Sequence, residues 1–354
     1  MKIAITADVH LKTRTQTPQR YNALEQIFLE IKKQNITTLI IAGDTFDKEA
    51  NNYSDFNNLC EQHKNINIII IPGNHDPQIG KKYFPLSNIE IINKTELRTF
   101  SDLSILFVPY IQTKTMDEEI TEFFFNNSIP QKWILISHGD YNTKERHLNS
   151  YESGIYMPIS GKLINKYKPL RVFLGHIHKS SVFGSVIYPG SPCGLDINET
   201  GKRQFIIYDS VYDNITSKII PTDILYYKET IITFPLEDEI DLIKASLNKM
   251  ITNWQLTNEE LKKVKLRLEI IGVTKDLSVL KNNIDSFFNS KKIEIYDPQG
   301  IDVSKVRVLN TADEDRIAIM NKFREKIEQY SFDISKTQIL ESGLNVIFGE
   351  KNGY

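Results

Sequence analysis

Short, fully apolar runs alternate with amphipathic stretches along the first part of this chain. Residues 68–71 are four consecutive isoleucines. No polar position is left for solvent, which predicts a strand covered on both faces. Pro72 ends that strand and Gly73 lets the backbone turn sharply. Asn74, His75 and Asp76 then stand at its carboxyl end, where open α/β sheets place their ligands. The design repeats. Residues 2–7 read as a strand running into Asp8-Val9-His10, and residues 38–42 as another running into Gly43-Asp44-Thr45-Phe46-Asp47. Residues 133–137 deliver His138-Gly139, and residues 170–174 deliver Gly175-His176-Ile177-His178. Short strands are expected over 89–110. Between the first two strands, Thr17-Pro18 opens a helix as N-cap and first helical residue. Tyr21, Leu24, Ile27, Phe28 and Ile31 form its apolar stripe, so the segment is a βαβ unit. Tyr53, Phe56, Leu59, Cys60 and His63 form a second stripe, on which His63 is a packed helix histidine.

After Pro221-Thr222-Asp223 the period changes. Strands over 230–234, 264–271 and 292–296 alternate with helices over 237–250 and 277–288, which describes a small α+β module. Two more helical patterns follow. The first, over 313–330, carries Ile317, Met320, Phe323, Ile327 and Tyr330; the second, over 335–348, carries Ile339, Leu340, Leu344, Ile347 and Phe348. Apolar stripes so near a terminus either fold back on the body or dock a partner.

Length and composition fit a globular chain of two domains with a small third piece: 354 residues, 40% hydrophobic and 25% charged. No apolar run approaches the roughly 18 residues that span a bilayer, so no membrane role is expected. Met1-Lys2-Ile3-Ala4 leads straight into a strand and not a signal peptide. Cys60 and Cys193 make neither a metal spacing nor a disulfide framework, which points to a reducing cytoplasm. The net charge of −2 means that any nucleic-acid contact must rest on a local basic face.

Histidine placement carries the chemistry. Five of the seven histidines (His10, His75, His138, His176 and His178) lie at strand ends, and His63 and His147 do not. In extended backbone, residues i and i+2 point the same way. Asp8 and His10 therefore aim at one point, as two ligands of one metal must, and His176 and His178 lie on one side of an extended segment. A phosphodiester repels nucleophiles. Two divalent ions about 3.5–4 Å apart neutralise it, activate water and stabilise the leaving oxygen. Mixed oxygen and nitrogen donors without thiolate suit Mn²⁺, Fe²⁺ or Zn²⁺ better than Ca²⁺ or an all-oxygen Mg²⁺ site.

Asp8-x-His10, Gly43-Asp44, Gly73-Asn74-His75-Asp76, His138 and Gly175-His176-x-His178 together resemble, in order, the five motifs of the calcineurin-like metallophosphoesterases. The resemblance covers roughly residues 1–210. Within that superfamily the chain is most similar to the SbcD-type DNA-repair nucleases, phage recombination nuclease subunits included. Gly43-Asp44-Thr45-Phe46-Asp47 resembles their second motif, and Tyr188-Pro189-Gly190-Ser191-Pro192 their Gly-Ser-Pro hairpin. The Arg-Gly and Asn-His-Glu signatures of Ser/Thr phosphatases are absent.

The resemblance implies an α/β fold: a four-layer αββα sandwich (residues 1–222), an α+β capping domain (223–305) and a C-terminal helical segment (306–354) that binds an SbcC-type ATPase. It implies one metal, Mn²⁺ foremost, held by Asp8, His10, Asp44 and His178, and another held by Asp44, Asn74, His138 and His176. Asp44 would bridge. His75 would be a catalytic non-ligand that orients phosphate and protonates the leaving oxygen. Asp76 would fix His75, and Asp47 would act around the metals, unless both merely stabilise turns. Lys12, Arg14, Arg20, Lys81, Lys82, Tyr83, Lys144 and Arg146 are candidates for gripping DNA phosphates. The implied function is a DNA exonuclease and endonuclease, homodimeric within a heterotetramer with the ATPase, in the cytoplasm (the host's, for a phage-encoded chain). The alternatives are a small-molecule phosphodiesterase and a non-catalytic scaffold of the same fold.

Overall fold

The computed structural model describes residues 1–48, 50, 53–101, 103–142, 154–309, 314–330 and 336–348. Lys144, Arg146 and His147 lie outside the described residues. Two compact units emerge: Met1–Leu195 with Lys202–Ile224, and Asp196–Gly201 with Leu225–Tyr354.

The first unit begins β1 (Lys2–Thr6), α1 (Pro18–Lys33), β2 (Thr38–Ala42), α2 (Ser54–Glu61), β3 (Asn67–Ile71) and β4 (Ile89–Ile91). It continues β5 (Glu96–Phe100), β6 (Leu103–Val108), α3 (Met116–Asn126), β7 (Trp133–His138), β8 (Tyr141–Asn142), β9 (Ile159–Ser160) and α4 (Gly161–Tyr167). It closes with β10 (Val172–Gly175), β11 (Ser181–Phe183), β12 (Val186–Tyr188), β13 (Arg203–Asp209) and β14 (Asn214–Ile220). One six-stranded sheet runs β14-β13-β1-β2-β3-β4 and the other β11-β12-β10-β7-β6-β5. β1, β2 and β3 are mutually parallel, as are β6, β7 and β10.

The isoleucine run shows how the layers form. Ile68 and Ile70 turn to one face and pack with Tyr21, Leu24, Phe28 and Ile31 of α1. Ile69 and Ile71 turn to the other and join Ile105, Phe107, Ile134, Ile136 and Phe173 of the opposite sheet. The outer face of that sheet, through Leu106, Leu135, Val172 and Leu174, packs on Met116, Ile120 and Phe124 of α3 and on Leu163 and Tyr167 of α4. Period-two alternation on a doubly covered strand therefore yields helix, sheet, sheet, helix, the αββα sandwich expected. His63 stacks on Phe28, with ring centroids 4.7 Å apart, and is a packing residue. Cys60 and Cys193 form no disulfide and are buried in the core beneath α1 and α2. Thr17 stands at the N-cap position of α1, but its hydroxyl accepts from the Lys12 amide at 3.3 Å and donates to the Thr13 carbonyl, so it ties the entering loop.

The second unit holds β15 (Leu225–Thr233), α5 (Glu239–Asn253), α6 (Asn258–Leu261), β16 (Val264–Thr274), α7 (Leu277–Lys291), β17 (Glu294–Ile295), β18 (Asp302–Val308), α8 (Glu314–Gln329) and α9 (Lys336–Phe348). Its sheet is parallel, with β15, β17 and β18 all pairing with β16. The alternate residues Leu266, Leu268 and Ile270 meet Ile243 and Leu247 of α5 and Leu280 and Ile284 of α7. On the other face Lys265, Arg267 and Glu269 are half-buried, but Ile271 and Val273 toward the end of β16 are buried, so the alternation is polar over only part of the strand. The C-terminal helices do not form a separate piece. Met320 of α8 and Leu344 and Phe348 of α9 bury themselves with Val273 of β16, while Leu340 and Ile347 pack alongside. Leu344 and Phe348 of the stripe over 335–348 are thus buried within their own unit. Among the described residues no helix is long and apolar enough to cross a membrane.

Placing a carboxylate at Leu344 would bury an unpaired charge. Leu344→Glu is expected to destabilise the second unit by about 2–4 kcal/mol and to lower its melting temperature by several degrees in calorimetry. An unchanged transition would mean that α9 does not pack on β16 in solution.

A candidate metal centre

The carboxyl ends of β1, β2 and β3 and those of β7 and β10 open toward one point. Past β1 and β2 the backbone stays paired: Asp8 N–H donates to Gly43 O (3.1 Å), His10 N–H to Asp44 O (3.0 Å) and Leu11 N–H to Thr45 O (2.9 Å). Asp8, His10 and Asp44 nevertheless leave extended geometry, with φ of 55°, 51° and 49°, and His176 has φ 91°. Left-handed backbone at four non-glycine residues is costly and persists where the surroundings over-determine it. Here it swings the four side chains to one centre.

All nine residues singled out from the sequence come together. Asp8, His10, Asp44, Asp76, His138, His176 and His178 are buried, and Asn74 and His75 half-buried. One Asp44 oxygen, Oδ1, accepts the His75 backbone N–H at 2.8 Å. The other, Oδ2, lies between His10 Nε2 at 3.7 Å and His138 Nε2 at 3.4 Å. On the His10 side, His10 Nε2 faces His178 Nε2 at 3.1 Å, and the ligand atoms of Asp8, His10 and His178 lie within 4.8 Å of one another. On the His138 side, Asn74 Oδ1 sits 2.8 Å from His138 Nε2 and 3.3 Å from His176 Nδ1. Two donor sets therefore share one carboxylate.

Three observations fit divalent ions. Asp8 Oδ1 accepts the His176 N–H at 2.8 Å, yet its Oδ2 is buried without a hydrogen-bond partner; a buried carboxylate oxygen requires compensation. Two imidazole nitrogens point at each other. And the donors are oxygen and nitrogen alone, the set that suits Mn²⁺, Fe²⁺ or Zn²⁺. The electrostatics agree. Burial pushes the Asp8 carboxyl up to about 6, against the pull of His178 and His138. Burial opposes ionisation of Asp44 as well, but His138, His10 and His75 hold it well below the usual carboxylate range. His138 is pushed down by burial, and Asp44 reverses this and lifts it to about 9.

Glycines make room for the convergence. A Cβ on Gly175 would collide with the Ala42 carbonyl and the His138 ring, one on Gly73 with the Asp44 carboxylate, and one on Gly43 with His138. The Asp76 oxygens accept from Gly73 N–H at 2.7 Å and Phe46 N–H at 3.0 Å. Those bonds tie the loops after β2 and β3 together, so Asp76 is a positioning residue, the turn-stabilising alternative. Its carboxyl is raised to about 7 by burial and then by the charge of Asp44. Asp47 pairs with Arg20 at 3.8 Å and Lys12 at 4.0 Å, and Arg20 donates to the His10 carbonyl. Arg20 thus braces a ligand loop. Other basic candidates for gripping phosphate are engaged locally: Arg14 with Glu25 at 3.2 Å, Lys81 with the Leu86 and Ile89 carbonyls, and Lys82 over the Tyr83 ring.

Three participants escaped the sequence reading. Asp140 lies 3.8 Å from His176 Nε2, the Tyr156 ring lies 4.7 Å from the His176 ring, and Arg203 donates to His178 O and Ser191 O. The signal for Asp140 was present: His138-x-Asp140 repeats the i, i+2 spacing of the other ligand pairs.

A two-sheet sandwich with oxygen and nitrogen donors converging at its strand ends defines a metal-dependent phosphoesterase. Residues 1–180 match the Calcineurin-like phosphoesterase family, and the chain belongs to it. No curated protein matches. Among solved structures, the protein TT1561 of Thermus thermophilus is 13% identical and aligns over 62% of this chain and 98% of that one, with a TM-score of 0.42. An archaeal phosphodiesterase is 16% identical over 62% and 100%, with a TM-score of 0.33. A dimetal phosphatase from Danio rerio is 9% identical over 62% and 96%, with a TM-score of 0.40. At those scores they add nothing to the family assignment.

Because Asp44 keeps His138 protonated below about pH 9 without metal, a metal bound there must expel that proton. Between pH 6 and 8 the affinity of that equivalent is expected to rise by about tenfold per pH unit, read by calorimetry in buffers of different ionisation enthalpy. An affinity independent of pH would remove His138 from the ligands.

Proposed function

We propose that the chain is the metal-dependent nuclease subunit of an SbcC/SbcD-type complex, acting as exonuclease on duplex ends and endonuclease on single strands in DNA repair and recombination. The observation that carries the reading is where the nuclease-like features sit. Tyr188 of the Tyr-Pro-Gly-Ser-Pro segment donates its hydroxyl to Gly139 O at 3.0 Å, beside His138. Ser191 N–H donates to His178 O at 3.1 Å. Phe46 and Asp47 of the second nuclease-like motif are tied to Asp76 and Arg20. The residues on which the resemblance to those nucleases rests thus brace the metal-binding loops. The ATPase partner and the heterotetramer enter from the resemblance alone.

In this reading Asp8, His10 and His178 would hold one ion, Asn74, His138 and His176 the other, and Asp44 both. When bound, the ions supply charge neutralisation of the phosphodiester and a water nucleophile near neutral pH, with Mn²⁺ the proposed metal. His75 is anchored by its backbone N–H on Asp44, with its ring edge-on to His10 at 4.5 Å. From there the imidazole orients a phosphate oxygen and donates a proton to the leaving oxygen. By the resemblance, the second unit would act as the cap that governs substrate choice. Hydrolysis of a small phosphodiester is the second reading: the buried donor set acts on the phosphate alone and does not itself select the alcohols attached.

His75 also lies within ligand distance of His10 and Asp44, so metal content separates its roles. Asp44→Asn is expected to lose most bound metal and activity, and His75→Ala to lose activity by about 10²–10⁴-fold while keeping two equivalents in elemental analysis. A metal-depleted His75→Ala protein would make His75 a ligand. For the substrate, linear duplex, circular single-stranded DNA and a chromogenic phosphodiester are compared with Mn²⁺ and Mg²⁺. Cleavage of both DNAs in Mn²⁺ is expected; hydrolysis of the chromogenic ester alone would favour the small-molecule reading.

A further inference from the structure

Asp140 is buried, and the loop ahead of β9 locks it from several sides. Its N–H donates to Tyr156 O at 2.8 Å, its carbonyl accepts from Ile159 N–H at 2.8 Å, and its Oδ2 accepts from Tyr156 N–H at 2.7 Å. That same oxygen faces His176 Nε2 at 3.8 Å. The other nitrogen of His176, Nδ1, is the one turned to Asn74 Oδ1 and the donor set of His138. The Tyr156 ring covers the imidazole at 4.7 Å, limiting how it can turn. A histidine ligand is oriented when its second nitrogen meets a carboxylate, which fixes the tautomer and raises the basicity of the ligating nitrogen.

We propose that Asp140, held by the Tyr156 segment, is the positioning carboxylate of His176: it keeps the proton on Nε2 and presents Nδ1 to the metal on the His138 side. The proposal rests on the two-ion reading of the centre and not on what substrate the protein cleaves. Asp140 is outside both donor sets, so its loss weakens one ion without removing a ligand.

The test is a Zn²⁺ titration of metal-free full-length protein by calorimetry, wild type against Asp140→Asn and Asp140→Glu. The asparagine keeps an oxygen for the Tyr156 N–H and loses the charge. One of the two equivalents is expected to weaken by about 10–100-fold with the other unchanged, and Asp140→Glu to recover part of the loss. Two equivalents as tight as in wild type would reduce Asp140 to a loop clamp. Complete loss of one equivalent would make it a ligand. Both results overturn the proposal. Wild type taking up fewer than two equivalents would instead remove the two-ion reading, and this proposal with it. A second readout needs no folded Asp140 variant: long-range ¹H–¹⁵N correlation spectra of the zinc-loaded protein, with His176 assigned by comparison with His176→Gln. The Nε2–H tautomer is expected for His176, and an Nδ1–H tautomer overturns the proposal.

Discussion

The fold is organised around burying carboxylates and imidazoles together. Asp8, Asp44, His10, His138, His176 and His178 are taken out of water in one small volume, and desolvating an ionised group costs several kcal/mol unless it is compensated. The protein compensates in part. Backbone N–H groups from opposing loops hold one oxygen of each carboxylate: His176 N–H for Asp8 and His75 N–H for Asp44. Asp44 Oδ2 faces the His10 and His138 imidazoles and Asp8 Oδ2 is left without a hydrogen-bond partner, which leaves the residual electrostatic demand at the centre, where divalent ions answer it.

That demand explains the architecture around it. Only parallel strands deliver several carboxyl ends to one place, and only two sheets packed face to face bring the ends of β1, β2 and β3 against those of β7 and β10. The sheets approach so closely at that edge that Gly43 and Gly175 admit no side chain, and Gly73 admits none because the Asp44 carboxylate lies against it. The bracing extends outward through Asp76, Arg20, Arg203 and Tyr188, each bonded to the backbone of a ligand loop or of the turn beside it. A loop residue moved by a fraction of an ångström would misplace a donor, so these contacts serve the centre as much as the ligands do.

Much of this was legible in the chain. Apolar strand runs that end in Asp-x-His, Gly-Asp, Asn-His-Asp or Gly-His-x-His specify both the element and what it carries, because a two-residue period and the residues that follow it are local properties. The extended i, i+2 geometry is not what gathers the donors, since Asp8, His10 and His176 take left-handed backbone. What was not local was not legible. Asp76 reads as a partner of His75 by adjacency, yet its bonds go to Gly73 and to Phe46 thirty residues away in sequence. Arg20 reads as a candidate for gripping phosphate and proves to bond the His10 carbonyl. β18 passed unseen because Asp-Val-Ser-Lys-Val-Arg-Val, at the sheet's edge, buries no residue fully and leaves no apolar period. The stripe of α9 predicted burial without saying against what, and β16 supplied the surface.

The central claim is that Asp44 bridges two ions where the two sheets meet. Anomalous diffraction from crystals soaked in Mn²⁺ tests it most directly. Two peaks about 3.5–4 Å apart are expected, one on either side of the Asp44 carboxylate, the first against Asp8, His10 and His178 and the second against Asn74, His138 and His176. A single peak, or density away from Asp44, would contradict the account.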